Sequence, residues 1–154
     1  MYLAVAFVIL FSAVYGSAGA VDSPDKAMII FVCEHGSAKS VVAAAHFNRL
    51  AKQNGLPFVA VSRGTFPDPE IAPPAAKGLQ GDGIPLPSEK PAKLTSSEAS
   101  KALRVVSFCD LPKEMKAENV VRWTVPPISE DYSKARDAII MRLHDLINEL
   151  RKSQ

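Results

Sequence analysis

Residues 29–40, IIFVCEHGSAKS, constrain this chain more than any other stretch. An apolar, largely β-branched run ends in Cys33, and a short loop of small residues follows before a helix-forming segment. Such a run without polar alternation reads as a strand buried on both faces, as in a parallel sheet covered by helices. A thiol at the carboxyl end of that strand faces the start of the next helix. Free backbone N–H groups and the helix dipole there favour a thiolate and a bound oxyanion. Successive N–H groups in a tight loop also form an anion-binding concavity, so one element can hold both nucleophile and substrate.

The rest of the chain supplies partners for that strand. Residues 58–61, 103–108 and 120–123 read as further strands, and 40–53, 75–80, 95–101 and 131–152 as helices. Asn54-Gly55 stops the first helix, with Pro57 beyond it. Thr95 or Ser96 caps the third, with Glu98 as its reciprocal partner. Ile139, Leu143, Leu146 and Leu150 form the apolar stripe of the last. Alternating strands and helices make an α/β fold with right-handed crossovers, in which ligands sit beyond the carboxyl ends of the strands. Cys33 ends the first strand and Cys109 the third, so neighbouring strands would open both thiols onto one crevice.

Composition narrows the partners. With 47% hydrophobic and 22% charged residues in 154, the chain has the makings of one globular domain. A net charge of +2 and no block of like charge argue against nucleic acid. Residues 1–21 carry no charged side chain, and Ala18-Gly19-Ala20 offers small residues in a cleavage-site pattern. The expected organisation is a signal peptide over 1–20, a linker over 21–26 and one domain over 27–154. The protein is then exported, periplasmic or secreted, without stable membrane association after cleavage. An uncleaved anchor is the alternative. In an exported protein two cysteines are most simply a structural disulfide, an alternative carried beside any reactive thiol.

The loop CEHGSAKS resembles the C-x5-R-S loop of low-molecular-weight protein tyrosine phosphatases and the arsenate reductases that share their fold, above all the CTHNSARS version. Ser62-Arg63-Gly64-Thr65 resembles the segment after the family's second strand. Phe108-Cys109-Asp110 resembles the end of the third, and Trp123 with Pro126-Pro127 the region before its Asp-Pro. The resemblance implies a three-layer α/β fold with a four-stranded parallel sheet in the order 2-1-3-4. It makes Cys33 the nucleophile, with Lys39 beside it as the charge on the anion. Glu34, His35, Gly36, Ser37, Ala38, Lys39 and Ser40 become the oxyanion-binding loop, with the Ser40 hydroxyl on the thiolate. No cofactor or metal is implied. The substrate is phosphate, arsenate or a phosphorylated compound.

The departures bear on chemistry. Lys39 stands where the family has Arg, exchanging a planar fork for a point charge. Gly36 replaces Asn, and both tolerate positive φ. Glu34 beside the thiol is expected to point outward. Pro126 holds the place of the acidic Asp, leaving Glu130 and Asp131 as candidate general acids; otherwise they open the last helix. Cys109 matches the second cysteine of the reductase relay, but the third is missing. A two-cysteine relay needs an external thiol, from a thioredoxin- or glutaredoxin-like reductant. Arg63, Arg104, Arg122 and Arg136 are the places to seek a compensating guanidinium. His46 reads as a hydrogen-bonded core residue and His144 as surface, while Asp68, Asp82 and Asp110 read as turn residues. The expected function is a thiol-dependent enzyme on a phosphate-like oxyanion, arsenate-reductase-like or phosphatase-like. The alternative is a catalytically impaired oxyanion-binding or partner-docking module.

Overall fold

The computed structural model describes residues 26–115 and 118–153. The export signal expected over 1–20, and residues 21–25 of the linker, lie outside the described residues. Among the described residues no helix is long and apolar enough to cross a membrane.

Strands β1 (Ala27–Cys33), β2 (Phe58–Gly64), β3 (Arg104–Ser107) and β4 (Val120–Arg122) form one parallel sheet in the order β2-β1-β3-β4. Helices α1 (Lys39–Gln53), α2 (Pro73–Gly81) and α4 (Tyr132–Lys152) cover one face. The short α3 (Ser96–Lys101) covers the other. The apolar run of β1 serves both layers. Ile29 and Phe31 pack with Val42, Phe47, Ile139 and Leu143, whereas Ile30 and Val32 pack with Leu94, Ala99, Ala102 and Leu111. Phe31 meets Phe47 and Trp123 at 5.9 Å between ring centroids, and Phe108 meets Trp123 at 6.1 Å. Tilted aromatic pairs of this kind contribute about 0.5–1.5 kcal/mol each beyond their buried area.

The elements expected from sequence are present, with edges that move for identifiable reasons. β2 runs on to Gly64 because residues 92–94 bond its far end: Gly64 N–H donates to Ala92 O and Leu94 N–H to Gly64 O, both at 2.9 Å. α2 begins at Pro73, since proline is well suited to the first turn of a helix. The α3 capping box forms as read, Thr95 and Glu98 bonding each other's backbone N–H. Gly55, at φ +62, closes α1.

A buried polar cluster fixes the helices to one another. His46 of α1 is 1% exposed; its Nδ1 accepts from Arg49 at 3.0 Å. Its Nε2 lies 3.2 Å from Asp82 Oδ2, out of line for a full hydrogen bond. Asp82, capping α2, also accepts from Tyr132 Oη at 2.6 Å and from Arg136 at 2.8 Å, both on α4. Burial pushes the Asp82 carboxyl up, but the bonds from Tyr132 and Arg136 outweigh it and hold the group below its ordinary value. Burial, reinforced by Arg49, holds His46 below its ordinary value and therefore neutral. Asp82 read from sequence as a turn residue; it is instead the hub joining three helices.

Candidate active site

The loop between β1 and α1 is held open by its neighbour after β2. Thr65 N–H donates to Cys33 O at 3.3 Å, Phe66 N–H to Glu34 O at 2.8 Å, Asp68 N–H to His35 O at 2.9 Å and Ala72 N–H to Ser37 O at 2.9 Å. Those bonds occupy carbonyls only. Among the described residues, no N–H from Glu34 to Val41 has a protein acceptor. Ala38 supplies no side-chain cap to α1, and no acidic residue sits in its first turn. With the carbonyls satisfied from outside and the donors unspent, the loop is a positively polarised concavity around Cys33.

Two glycines make this arrangement geometrically feasible. Gly36 adopts φ +60, and a Cβ there would stand 2.8 Å from the Gly64 nitrogen. The reverse also holds: a Cβ on Gly64 would stand 2.8 Å from the Gly36 nitrogen. The Cys33 Sγ lies 3.1 Å from the Ser40 hydroxyl, both buried. Glu34 is 65% exposed, so its carboxylate points away from the thiol, as the sequence suggested. Lys39 is half-buried and forms no ion pair among the described residues.

Cys109 follows β3 and sits on the same rim. Both cysteines are free thiols. Burial pushes the Cys109 thiol up, against a hydrogen bond from Ser107, and the charge of Cys33 adds to the rise. The Thr65 hydroxyl, next to the loop, donates to Glu34 O at 3.3 Å. The strand order thus places the two thiols at the carboxyl ends of neighbouring strands.

The candidate compensating guanidiniums are engaged elsewhere. Arg63 donates from Nε and Nη2 to Glu98 Oε1, at 3.0 and 2.8 Å, and from Nη1 to Ser62 O. Arg122 pairs with Asp110, and Arg136 with Asp82 and Asp137. Arg104 opens β3, at the end of the strand remote from the crevice. Lys39 is therefore the cation of the loop itself. Asp131 is the N-cap of α4, accepting from Lys134 N–H at 3.0 Å, and Glu130 is exposed in the preceding turn. His144 is exposed on α4.

Asp68 was legible only as a turn residue, yet it belongs to the site. Its Oδ2 accepts from Ser37 Oγ at 2.7 Å and its Oδ1 lies 3.3 Å from His35 Nδ1. Nothing in a Pro-Asp-Pro stretch signals such pairing; it becomes visible only when the loops after β1 and β2 are juxtaposed. A groove of about 550 Å³ lies off the thiol, between α1, β2 and residues 83–90, with Val41, Asn48, Ile84 and Pro85 in its walls. A tetrahedral anion needs the shallow loop, not that groove.

Among known proteins, the profile of the family described as low molecular weight phosphotyrosine protein phosphatase matches residues 28–124. A low molecular weight protein tyrosine phosphatase from Bacillus subtilis shares 25% identity at a TM-score of 0.69, covering 81% of this chain and 97% of that one. An arsenate reductase from Archaeoglobus fulgidus shares 26% identity at a TM-score of 0.63, covering 78% of this chain and 98% of that one. A thioredoxin-dependent arsenate reductase from Corynebacterium glutamicum shares 21% identity at a TM-score of 0.67, covering 85% and 65%, a likeness of fold alone. No curated protein matches the chain. The sheet order, the thiol-bearing loop and the profile agree, and the chain belongs to the low molecular weight phosphotyrosine protein phosphatase family.

Proposed function

We propose that this protein is a thiol-dependent phosphatase, in which Cys33 attacks a phosphomonoester and carries the phosphoryl group as a phosphocysteine. The observation that supports it most is the run of unspent N–H groups from Glu34 to Val41 around a buried thiol. Donors already aimed at the anion need little reorganisation as charge develops on the equatorial oxygens. Ser40 Oγ, 3.1 Å from the sulfur, donates to the thiolate before attack and after its release. Lys39 adds a full positive charge but not the fork that grips two oxygens, so turnover is slower than an arginine would allow. Quenching the protein with acid during turnover of p-nitrophenyl phosphate tests this reading. A phosphate mass on the Cys33 peptide, absent in Cys33→Ala supplied with the same ester, is expected; nitrophenol release without it would overturn the covalent route.

Cys109 favours a second reading, arsenate reduction. Arsenate would add to Cys33, and Cys109 would attack Cys33 to release arsenite and leave a disulfide. A thioredoxin- or glutaredoxin-like dithiol would then reduce that disulfide. Burial of Cys109 opposes this route at neutral pH, because the attacking form is the thiolate. Arsenite release coupled to thiol oxidation separates it from the phosphatase. A protein that binds both anions and turns over neither would be the docking module instead. Export by residues 1–20 is part of the same proposal; mature protein starting at Val21 in a secreted fraction would support it.

A further inference from the structure

A phosphatase needs a proton for its leaving oxygen, and the resemblance around Trp123 and Pro126-Pro127 puts the family's acidic Asp at Pro126, which has none. We infer that His35 supplies that proton and that Asp68 positions it, an inference that rests on the phosphatase reading above. Two contacts fix the pair to each other: Asp68 N–H donates to His35 O at 2.9 Å, and Asp68 Oδ1 lies 3.3 Å from His35 Nδ1. The second carboxylate oxygen accepts from Ser37 Oγ at 2.7 Å, which ties the pair to the anion loop. A carboxylate within ion-pair distance of Nδ1 favours the charged ring and leaves Nε2 as the nitrogen to exchange protons with substrate. The other charged group facing it is Glu34, whose Oε2 lies 4.0 Å from Nε2. His35 is 57% exposed and Asp68 44%, so the ring remains accessible at the rim of the loop that binds the phosphate.

The step balances without any further reagent. Cys33 Sγ forms a bond to phosphorus while the bond from phosphorus to the leaving oxygen breaks. Imidazolium Nε2–H passes its proton to that oxygen, which departs as an alcohol or phenol. The neutral ring then takes a proton from the water that attacks the phosphocysteine, releasing phosphate and restoring imidazolium and thiolate. Neither Asp131, which caps α4, nor the paired Asp110 has a comparable tie to the loop.

The dependence of rate on the leaving group tests the assignment. The intact protein, His35→Gln and Asp68→Asn are assayed for kcat/KM with phenyl phosphate, whose leaving oxygen needs a proton, and 2,4-dinitrophenyl phosphate, whose leaving oxygen does not. His35→Gln is expected to widen the ratio between the two substrates by about 100-fold, and Asp68→Asn to widen it by a smaller factor. An equal fall on both substrates in His35→Gln would mean that His35 only shapes the loop, and would overturn the inference while leaving the phosphatase reading intact. An unmodified protein inert towards both esters would overturn that reading and this inference with it.

Discussion

The close approach of Gly36 and Gly64 is where backbone geometry most directly controls the site, and Gly64→Ala isolates it. Gly64 lies at the end of β2 without positive φ, so alanine there introduces no backbone strain of its own. The new methyl would meet Gly36 N at 2.8 Å, His35 C at 3.0 Å and Glu34 O at 3.1 Å, all backbone of the anion loop. Ordinary van der Waals contact would require the loop to retreat by about 0.6 Å. Overpacking of this kind costs about 1–3 kcal/mol, read as a melting temperature lower by roughly 5–15 °C. The larger effect falls on catalysis, because sub-ångström misplacement of transition-state donors costs about 10–100-fold in rate. Phosphate protection of the melting temperature and kcat/KM for p-nitrophenyl phosphate should both fall. Gly81→Ala is the control, since its Cβ would meet nothing within 4 Å, and it should be neutral or slightly stabilising. A Gly64→Ala protein with unaltered melting temperature, anion affinity and rate would refute the reasoning.

Other consequences are equally direct. Lys39→Arg should raise kcat/KM by about tenfold, the worth of one more charge-assisted bond at roughly 1.5 kcal/mol; no gain in a folded, phosphate-binding variant would show that Lys39 does not limit the rate. Asp82→Asn should cost about 1.5–3 kcal/mol in urea unfolding at neutral pH, since Tyr132 and Arg136 lose a charged acceptor. The folded carboxyl lies below its ordinary 3.8, so this stability is present above that pH and is lost as pH falls through the folded value; the variant's deficit should shrink there. His46, also held below its ordinary 6.5, contributes in the same sense, so stability should begin to erode once pH drops under that value. Cys109, pushed up by burial, should alkylate at appreciable rates only above the pH typical of an exposed thiol, and a Cys109 reactive at neutral pH would revive the reductase route.

The order of elements was legible because each carries its own physical signature. β1 reads as a fully buried strand because it serves two core layers, and α3 reads as a helix start because Thr95 and Glu98 can satisfy each other's donors. Cys33 and its loop stood out for the same local reason, a thiol meeting a helix N-terminus. What escaped is long-range. Asp68 and Asp82 sit between glycines and prolines, where aspartate ordinarily makes a turn; their partners lie 31 and 54 residues away for Ser37 and Arg136. Arg63 looked like a rim cation, but its guanidinium is closed against Glu98, a residue already spoken for as a capping partner. The far reach of β2 depended on residues 92–94, which have no strand pattern of their own.

The central claim is that Cys33 is a nucleophile inside a working oxyanion pocket. Alkylation of the reduced protein, followed at Cys33 by mass spectrometry with and without phosphate or arsenate, tests it most directly. The account predicts a reactive Cys33 that either anion protects, with chloride at equal ionic strength giving no protection. A sluggish Cys33 indifferent to both anions would contradict it.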